Sequence, residues 1–348
     1  MQPKPGRKQA SCSAMQPKED AMANLSTSYM GLNLKNPIIA ASSSLTGNLE
    51  NVKKCEDAGA GAVILKSLFE EQITSDKNRM IGDMNYDAYT DAYDFFNASS
   101  TDYYLDEYLG LVEDAKESLS IPVIASVNCV SPGQWTDYAE RFENIGADAL
   151  ELNMFILPSN ISTSGITIED TYIKILENVK KNINIPVSLK IGYHFSGMGN
   201  FINRAVKSGA QGIVLFNRFY KIDIDIDKLE LKSSPIISDP SEIHLALQWI
   251  ALMSGEVPAD FSGATGVHDA EGVIKHLLAG ASSIQLCSTL LKNGVNRISE
   301  IVDGLEEWMD SKNYTKISDF NGLLSQENSK HPEAYERSQF IKSVVGLS

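Results

Sequence analysis

The sequence predicts one (β/α)₈ barrel, a closed ring of eight parallel strands inside a coat of helices. Short apolar runs of strand length alternate strictly with periodic stretches of helical length, which implies a parallel sheet covered on its faces. An internal echo marks four of the units: DAGAGAVILK (57–66), NIGADALELN (144–153), KSGAQGIVLFN (207–217) and LAGASSIQLC (278–287). The count of units reaches eight, which favours closure into a barrel over an open doubly wound sheet.

In chain order, the first strand is NPIIAAS (36–42) and the second is the apolar run inside 57–66. The echoed Gly-Ala pairs begin at 59, 146, 209 and 280. Each reads as a helix-ending glycine, a tight turn and then a buried strand. The third and fifth strands, IPVIASVN (121–128) and IPVSLKIG (185–192), open beside a proline, where no ladder donor is needed. The remaining echoes give the fourth, sixth and eighth strands, and ADFSGAT (259–265) gives the seventh. Helices are expected at 48–58, 103–119, 134–145, 169–182, 199–208, 241–253, 269–279 and 293–310.

Two connections, 67–102 after the second strand and 218–240 after the sixth, are too long for plain turns. The first is acidic and aromatic, with Tyr86, Tyr89, Tyr93, Phe95 and Phe96. The second contains YKIDIDIDKLELK, whose period of two predicts a hairpin. Both follow strands, so both would roof the mouth of the barrel. Residues 1–21 are polar and lack the apolar stretch of a secretory signal, so they read as a disordered extension. The barrel is expected over 22–325, with 326–348 as an appendage packed on it or on a partner.

The net charge of −15 repels phosphate polyanions and argues against a nucleic-acid partner. No apolar run is long enough to span a membrane. Cys12, Cys55, Cys129 and Cys287 lack the spacing of a zinc or iron–sulfur site and read as reduced thiols of a cytoplasmic protein. The five histidines form no metal-binding pattern, so no metal is expected.

In barrels of this kind function gathers at the C-terminal ends of the strands. Those ends carry Ser42, Ser43 and Ser44, then Lys66 and Ser67, Asn128, Asn153, Lys190 and Asn217. A buried lysine must be paired or must face an anion. Any one of these residues could simply hold a loop, but six strand ends of this kind on one rim favour a ligand site. The glycine-rich SGATGV (262–267) leads into a helix near Asp269, and CST (287–289) precedes the last helix. Loops after the seventh and eighth strands form the common phosphate site of barrels. A flat heteroaromatic bearing a phosphate suits both halves, and flavin mononucleotide (FMN) fits.

With these residues, and with the tracts NLSTSYMGLNLKNPIIAAS, DAGAGAVILKSLFEEQI, VLFNRFY and TGVHDAEGVIKHLLAGA, the chain resembles the dihydroorotate dehydrogenase family over 24–325. The likeness is to its soluble class 1 branch, and there to the divergent dihydroorotate dehydrogenase-like group. The resemblance implies an FMN-dependent oxidoreductase of pyrimidine biosynthesis, a small-molecule substrate, a soluble electron acceptor and a homodimer. It implies FMN bound by Ala41, Ser42, Lys66 and Ser67, with Asn128, Asn153 and Lys190 at the ring or ribityl chain. Gly263, Thr265, Gly266 and Ser288 would hold the phosphate. Lys66 would also stand near the reacting atoms, and Asn153 and Asn217 would bind substrate. In the family reaction a base removes a proton from the substrate as hydride leaves for the flavin.

The chain departs from the family where that base belongs. A Cys or Ser is expected three residues after the strand-end asparagine, and here the position is Ile156 or Leu157. An alkyl side chain cannot take a proton. The family's substrate-holding Asn-Ser-Met-Gly-Leu tract has no clear counterpart; the corresponding region reads AYDFFN (92–97). His194 and Ser164, with Ser162 and Thr163 beside it, are candidate replacement bases. Three flavin readings follow: dihydroorotate oxidation, oxidoreduction of another cyclic amide or enone, and non-catalytic flavin binding. Outside them stands a non-redox enzyme that binds a phospholigand on the same barrel.

Overall fold

The computed structural model describes residues 23–69, 90–128, 134–218, 222–233, 237–333 and 335–336; along 90–103, and at 134 and 233, the backbone alone is described. The expectations for 1–21, for Tyr86 and Tyr89, and for the side chains of Tyr93, Phe95 and Phe96 lie outside the described residues.

The strands in chain order are β1 (Thr27–Tyr29), β2 (Leu32–Leu34), β3 (Ile38–Ala40), β4 (Ala62–Ile64), β5 (Leu68–Phe69), β6 (Val123–Asn128) and β7 (Ala149–Asn153). They continue as β8 (Val187–Ile191), β9 (Gly212–Leu215), β10 (Ile222–Asp225), β11 (Glu230–Ser233), β12 (Asp260–Ala264) and β13 (Ser283–Leu286). Parallel pairing runs β4–β3–β13–β12–β9–β8–β7–β6, and β6 returns to β4. That return closes the expected eight-stranded (β/α)₈ barrel. The β5 segment prolongs the second barrel strand along β6.

The helices are α1 (Leu49–Asp57), α2 (Thr90–Ser118), α3 (Gln134–Asn144), α4 (Gly165–Asn182), α5 (Met198–Lys207), α6 (Ile243–Met253), α7 (Ala270–Ala279), α8 (Ser288–Asn293) and α9 (Arg297–Lys312). Gly59, Gly146, Gly209 and Gly280 all adopt φ between 90° and 106°. These left-handed residues end the helices that precede the echoed strands, which is why the same dipeptide recurs.

Several boundaries differ from the sequence reading. Residues 90–102 belong to α2, so the second-strand connection is shorter than expected. The α4 helix starts at Gly165, four residues early, because Ser164 caps it. The expected last helix, 293–310, begins later, at Arg297, and an unforeseen short helix, α8, ends before it at Gly294, whose φ is 83°. The β1–β2 hairpin was not foreseen; it turns through Met30 and Gly31 in left-handed conformations. Residues 222–233 do form the expected antiparallel hairpin, β10–β11.

Strand alternation divides the core in two. Ile39, Ala62, Ile64, Ile124 and Ala149 point to the barrel axis and meet Tyr29, Met30 and Leu34, which plug its lower end. Ile38, Val63, Val123, Leu150, Leu189, Ile213 and Ile284 face the helices. The chain beyond α9 lies across α6 and α7, donating from the Gly322, Leu324 and Gln326 amides to Leu277, Leu278 and Ala251 carbonyls.

One buried histidine is expected to make the fold sensitive to acid. His276 of α7 is fully buried; Nδ1 donates to the Gly272 carbonyl at 2.9 Å and Nε2 has no partner among the described residues. Burial pushes its pKa down to about 4 from 6.5, against the opposing pull of the Gly272 bond. The unfolded chain therefore binds the proton more readily. Stability is full above pH 6.5 and is lost as pH falls toward 4, by about 3 kcal/mol. Urea unfolding across that window should show this loss in the native chain and not in His276→Leu. Equal acid slopes in both proteins would refute it.

Candidate functional site

A cavity of about 380 Å³ opens at the C-terminal mouth of the barrel. Its floor is made by alternate residues of the strands, those that follow the axial parity upward. At one wall, a chain of polar side chains joins two barrel strands, β6 and β7, to the segments that follow β3, β4 and β9. The Ser42 and Ser67 hydroxyls share a hydrogen bond of 3.0 Å, and the Ser67 amide donates to Ser42 Oγ at 2.8 Å. Ser67 Oγ bonds the Ser126 hydroxyl at 2.8 Å and accepts from Asn153 Nδ2 at 3.3 Å. Asn153 Oδ1 in turn accepts from Asn217 Nδ2 at 2.7 Å. Residues far apart in sequence thus hold one another in fixed orientations.

Lys190 occupies the floor. Its Nζ donates to Gln285 Oε1 at 2.8 Å, and Gln285 Nε2 donates to Glu151 Oε2 at 2.7 Å. Lys66 lines the same cavity from the second strand end. Two lysines thus reach this end of the barrel, Lys190 with the buried Glu151 beside it.

The opposite wall is a backbone cradle. Thr265 and Gly266 both adopt left-handed conformations, at φ 73° and 78°. A Cβ on Gly266 would meet the Ile243 backbone nitrogen at 2.4 Å, so only glycine fits this turn. The Gly266 amide reaches Ser238 Oγ at 3.3 Å, the Ser238 amide reaches Ser288 Oγ at 3.0 Å, and Ser238 Oγ also contacts His268 Nε2 at 3.2 Å. Successive amides in such a turn, with hydroxyls beside them, suit an anionic oxygen cluster.

The sequence-predicted residues divide accordingly. Ala41, Ser42, Lys66, Ser67, Asn153, Lys190, Asn217, Thr265, Gly266 and Ser288 all line the cavity. Asn128 ends β6 half-buried and is not among the lining residues. The open side of Gly263 faces the His276 ring in the helical layer. Ser164 caps α4, accepting from the Thr167 amide at 3.3 Å, and is exposed. His194 lies behind the rim, stacked on Tyr193 at 4.3 Å and edge-on to Phe155 at 5.8 Å. Ile156 and Leu157 are partly exposed alkyl groups, 36% and 45% accessible.

Several lining residues were not singled out by sequence: Phe69, Phe216, Arg218, Ser238 and Gln285. Arg218 Nε donates to Glu242 at 3.1 Å and stands between the cavity and a side lobe of about 320 Å³ that reaches Tyr193 and His244. Burial holds the Cys287 thiol above its ordinary pKa, while Lys190, the Ser43 hydrogen bond and Arg218 pull the other way. Among the described residues no cluster of His, Cys, Asp or Glu is placed to hold a metal, and no helix is long and apolar enough to cross a membrane.

The pattern of the family described as "Dihydroorotate dehydrogenase" matches residues 24–309. The dihydroorotate dehydrogenase B (NAD(+)) catalytic subunit of Thermoplasma volcanium is 25% identical over 312 residues, covering 87% of this chain and 99% of that protein. The protein of the same name from Pyrococcus abyssi is 26% identical over 315 residues, covering 86% and 98%.

Proposed function

The chain belongs to the dihydroorotate dehydrogenase family, and from that premise we propose that it is an FMN-dependent oxidoreductase acting on a CH–CH bond in a planar, amide-bearing ring. One observation carries the reading: Lys66, Lys190, Asn153 and Asn217 share a single cavity with the 265–266 turn and Ser288. The donor set fits the group. Two cations and two amides suit a ring edged with carbonyl and nitrogen atoms, and the turn with Ser238 and Ser288 suits a phosphate. When bound, FMN supplies a hydride acceptor.

The chain's own residues do the rest. Lys190 sets a positive charge at the floor, where a developing negative charge is stabilised. Asn153 and Asn217, fixed against each other, offer amide groups for substrate carbonyl and N–H groups and hold it in a reactive orientation. Ser42 and Ser67 close the wall behind them. A soluble electron acceptor and a homodimer accompany the reading.

Ile156 and Leu157, at the family's base position, favour a substrate other than dihydroorotate, such as a different cyclic amide or enone. The test is an absorption spectrum of the purified protein followed by an anaerobic substrate screen. A yellow protein that dihydroorotate fails to bleach, and that another ring amide or enone does bleach, is the expected outcome. Rapid bleaching by dihydroorotate would restore the family substrate. A colourless protein that takes up no FMN would favour a phospholigand enzyme.

A further inference from the structure

Directly beneath the cavity the barrel interior holds a buried acid, Glu151, that the reading above does not use. Glu151 of β7 is fully buried, and its Oε2 is bridged through Gln285 of β13 to Lys190 of β8. Lys190 Nζ also stands 3.5 Å from Glu151 Oε1. Two adjacent strands, β7 and β8, and β13 from the far side of the ring thus contribute one side chain each to a closed triangle of acid, amide and cation. Oε1 itself makes no hydrogen bond among the described residues. Burial first, and then the charge of Glu151, drive the Tyr29 hydroxyl above its ordinary pKa. Lys190 is the cation within ion-pair distance of this buried carboxyl group.

We propose that Glu151 is a positioning residue for Lys190: a buried counter-charge, tied in through Gln285, that fixes the ammonium at the cavity floor and offsets its positive charge toward whatever ring lies above. A buried carboxylate is tolerated only when paired and hydrogen-bonded. The same pairing limits how strongly the lysine attracts negative charge in the cavity, because two opposite charges this close in a shielded interior largely cancel at a distance. The effect on a flavin rests on the FMN reading; the coupling between the two side chains does not.

Glu151→Gln tests the idea because it keeps the shape and the bond to Gln285 but removes the charge. In the FMN-loaded protein the flavin midpoint potential should move to a more positive value, since Lys190 is no longer offset. Gln285→Leu, which cuts the bridge and keeps both charges, should shift it less. Independently, a double-mutant cycle of Glu151→Gln and Lys190→Met, read by denaturant unfolding of the flavin-free chain, should show at least a tenfold coupling in the unfolding equilibrium. A merely structural glutamate would give additive effects and an unshifted potential, and that result would overturn the proposal. If Glu151→Gln alone fails to fold, recovery of folding in the double variant supports the pairing and its failure there refutes it. A native chain that takes up no FMN sinks the flavin reading, while the cycle still decides the coupling.

Discussion

Replacing Lys190 by alanine is expected to damage both the chemistry and the fold, whereas replacing Lys66 should damage the chemistry alone. Lys190 is 7% exposed and is paired with Glu151 and Gln285. Its removal leaves a buried carboxylate without its cation, a loss of about 3–5 kcal/mol. The same change deletes a fixed charge aimed at the cavity, and losing one such donor costs about 10²–10³ in rate. Lys66 lines the same cavity but is less buried and has no ion pair among the described residues. Lys66→Ala should therefore weaken cofactor retention and turnover while the unfolding free energy stays within about 0.5 kcal/mol of the parent. Denaturant unfolding and flavin content, measured on both variants, check this directly. Equal stability losses would mean that the two lysines do not differ in the way their surroundings require.

That contrast also marks the limit of what the residues reveal unaided. Strand ends were legible because Lys66, Asn153 and Asn217 interrupt apolar runs at the point where each run stops. Glu151 and Gln285 were not, because each sits singly inside an apolar run, as in ALELN and SIQL. A signal was present nonetheless. Ser126, Glu151, Ser188, Ser262, Ser283 and Gln285 all share the parity of the axial face. Reading the strands as uniformly apolar hid that alternation. The capping role of Ser164 was hidden for a related reason. Its spacing to Thr167 is that of a helix cap, but the helix start was set later, so a capping hydroxyl looked like a free one. Arg218 and Ser238 lie at the two ends of a long connection, and their common place at the rim is visible only in the folded barrel. The masses of polar groups could be counted from the chain, but which parity faces inward had to come from barrel closure.

Gly263 supplies the second large effect, and it separates packing from ligand binding at a residue whose sequence context suggests a phosphate contact. A Cβ there would lie 2.3 Å from His276 Cδ2 and 2.8 Å from Cγ, inside a buried ring held by its bond to Gly272. The ring belongs to a packed helix and has nowhere to move. Gly263→Ala is therefore expected to destabilise the protein by about 2–3 kcal/mol, and valine by more. The cause can be isolated, because His276→Ala vacates the space that the new methyl needs. The combined variant should be more stable than the sum of the two single losses predicts, by about 1–2 kcal/mol. It should also lose the acid sensitivity between pH 6.5 and 4, since the group that titrates is gone. A phosphate-holding role for Gly263 would instead appear as weakened flavin binding at unchanged stability, with no coupling to His276. Unfolding free energies and flavin affinities of the three variants distinguish the two, because a contact to the ligand and a contact to α7 cannot be relieved by the same second substitution.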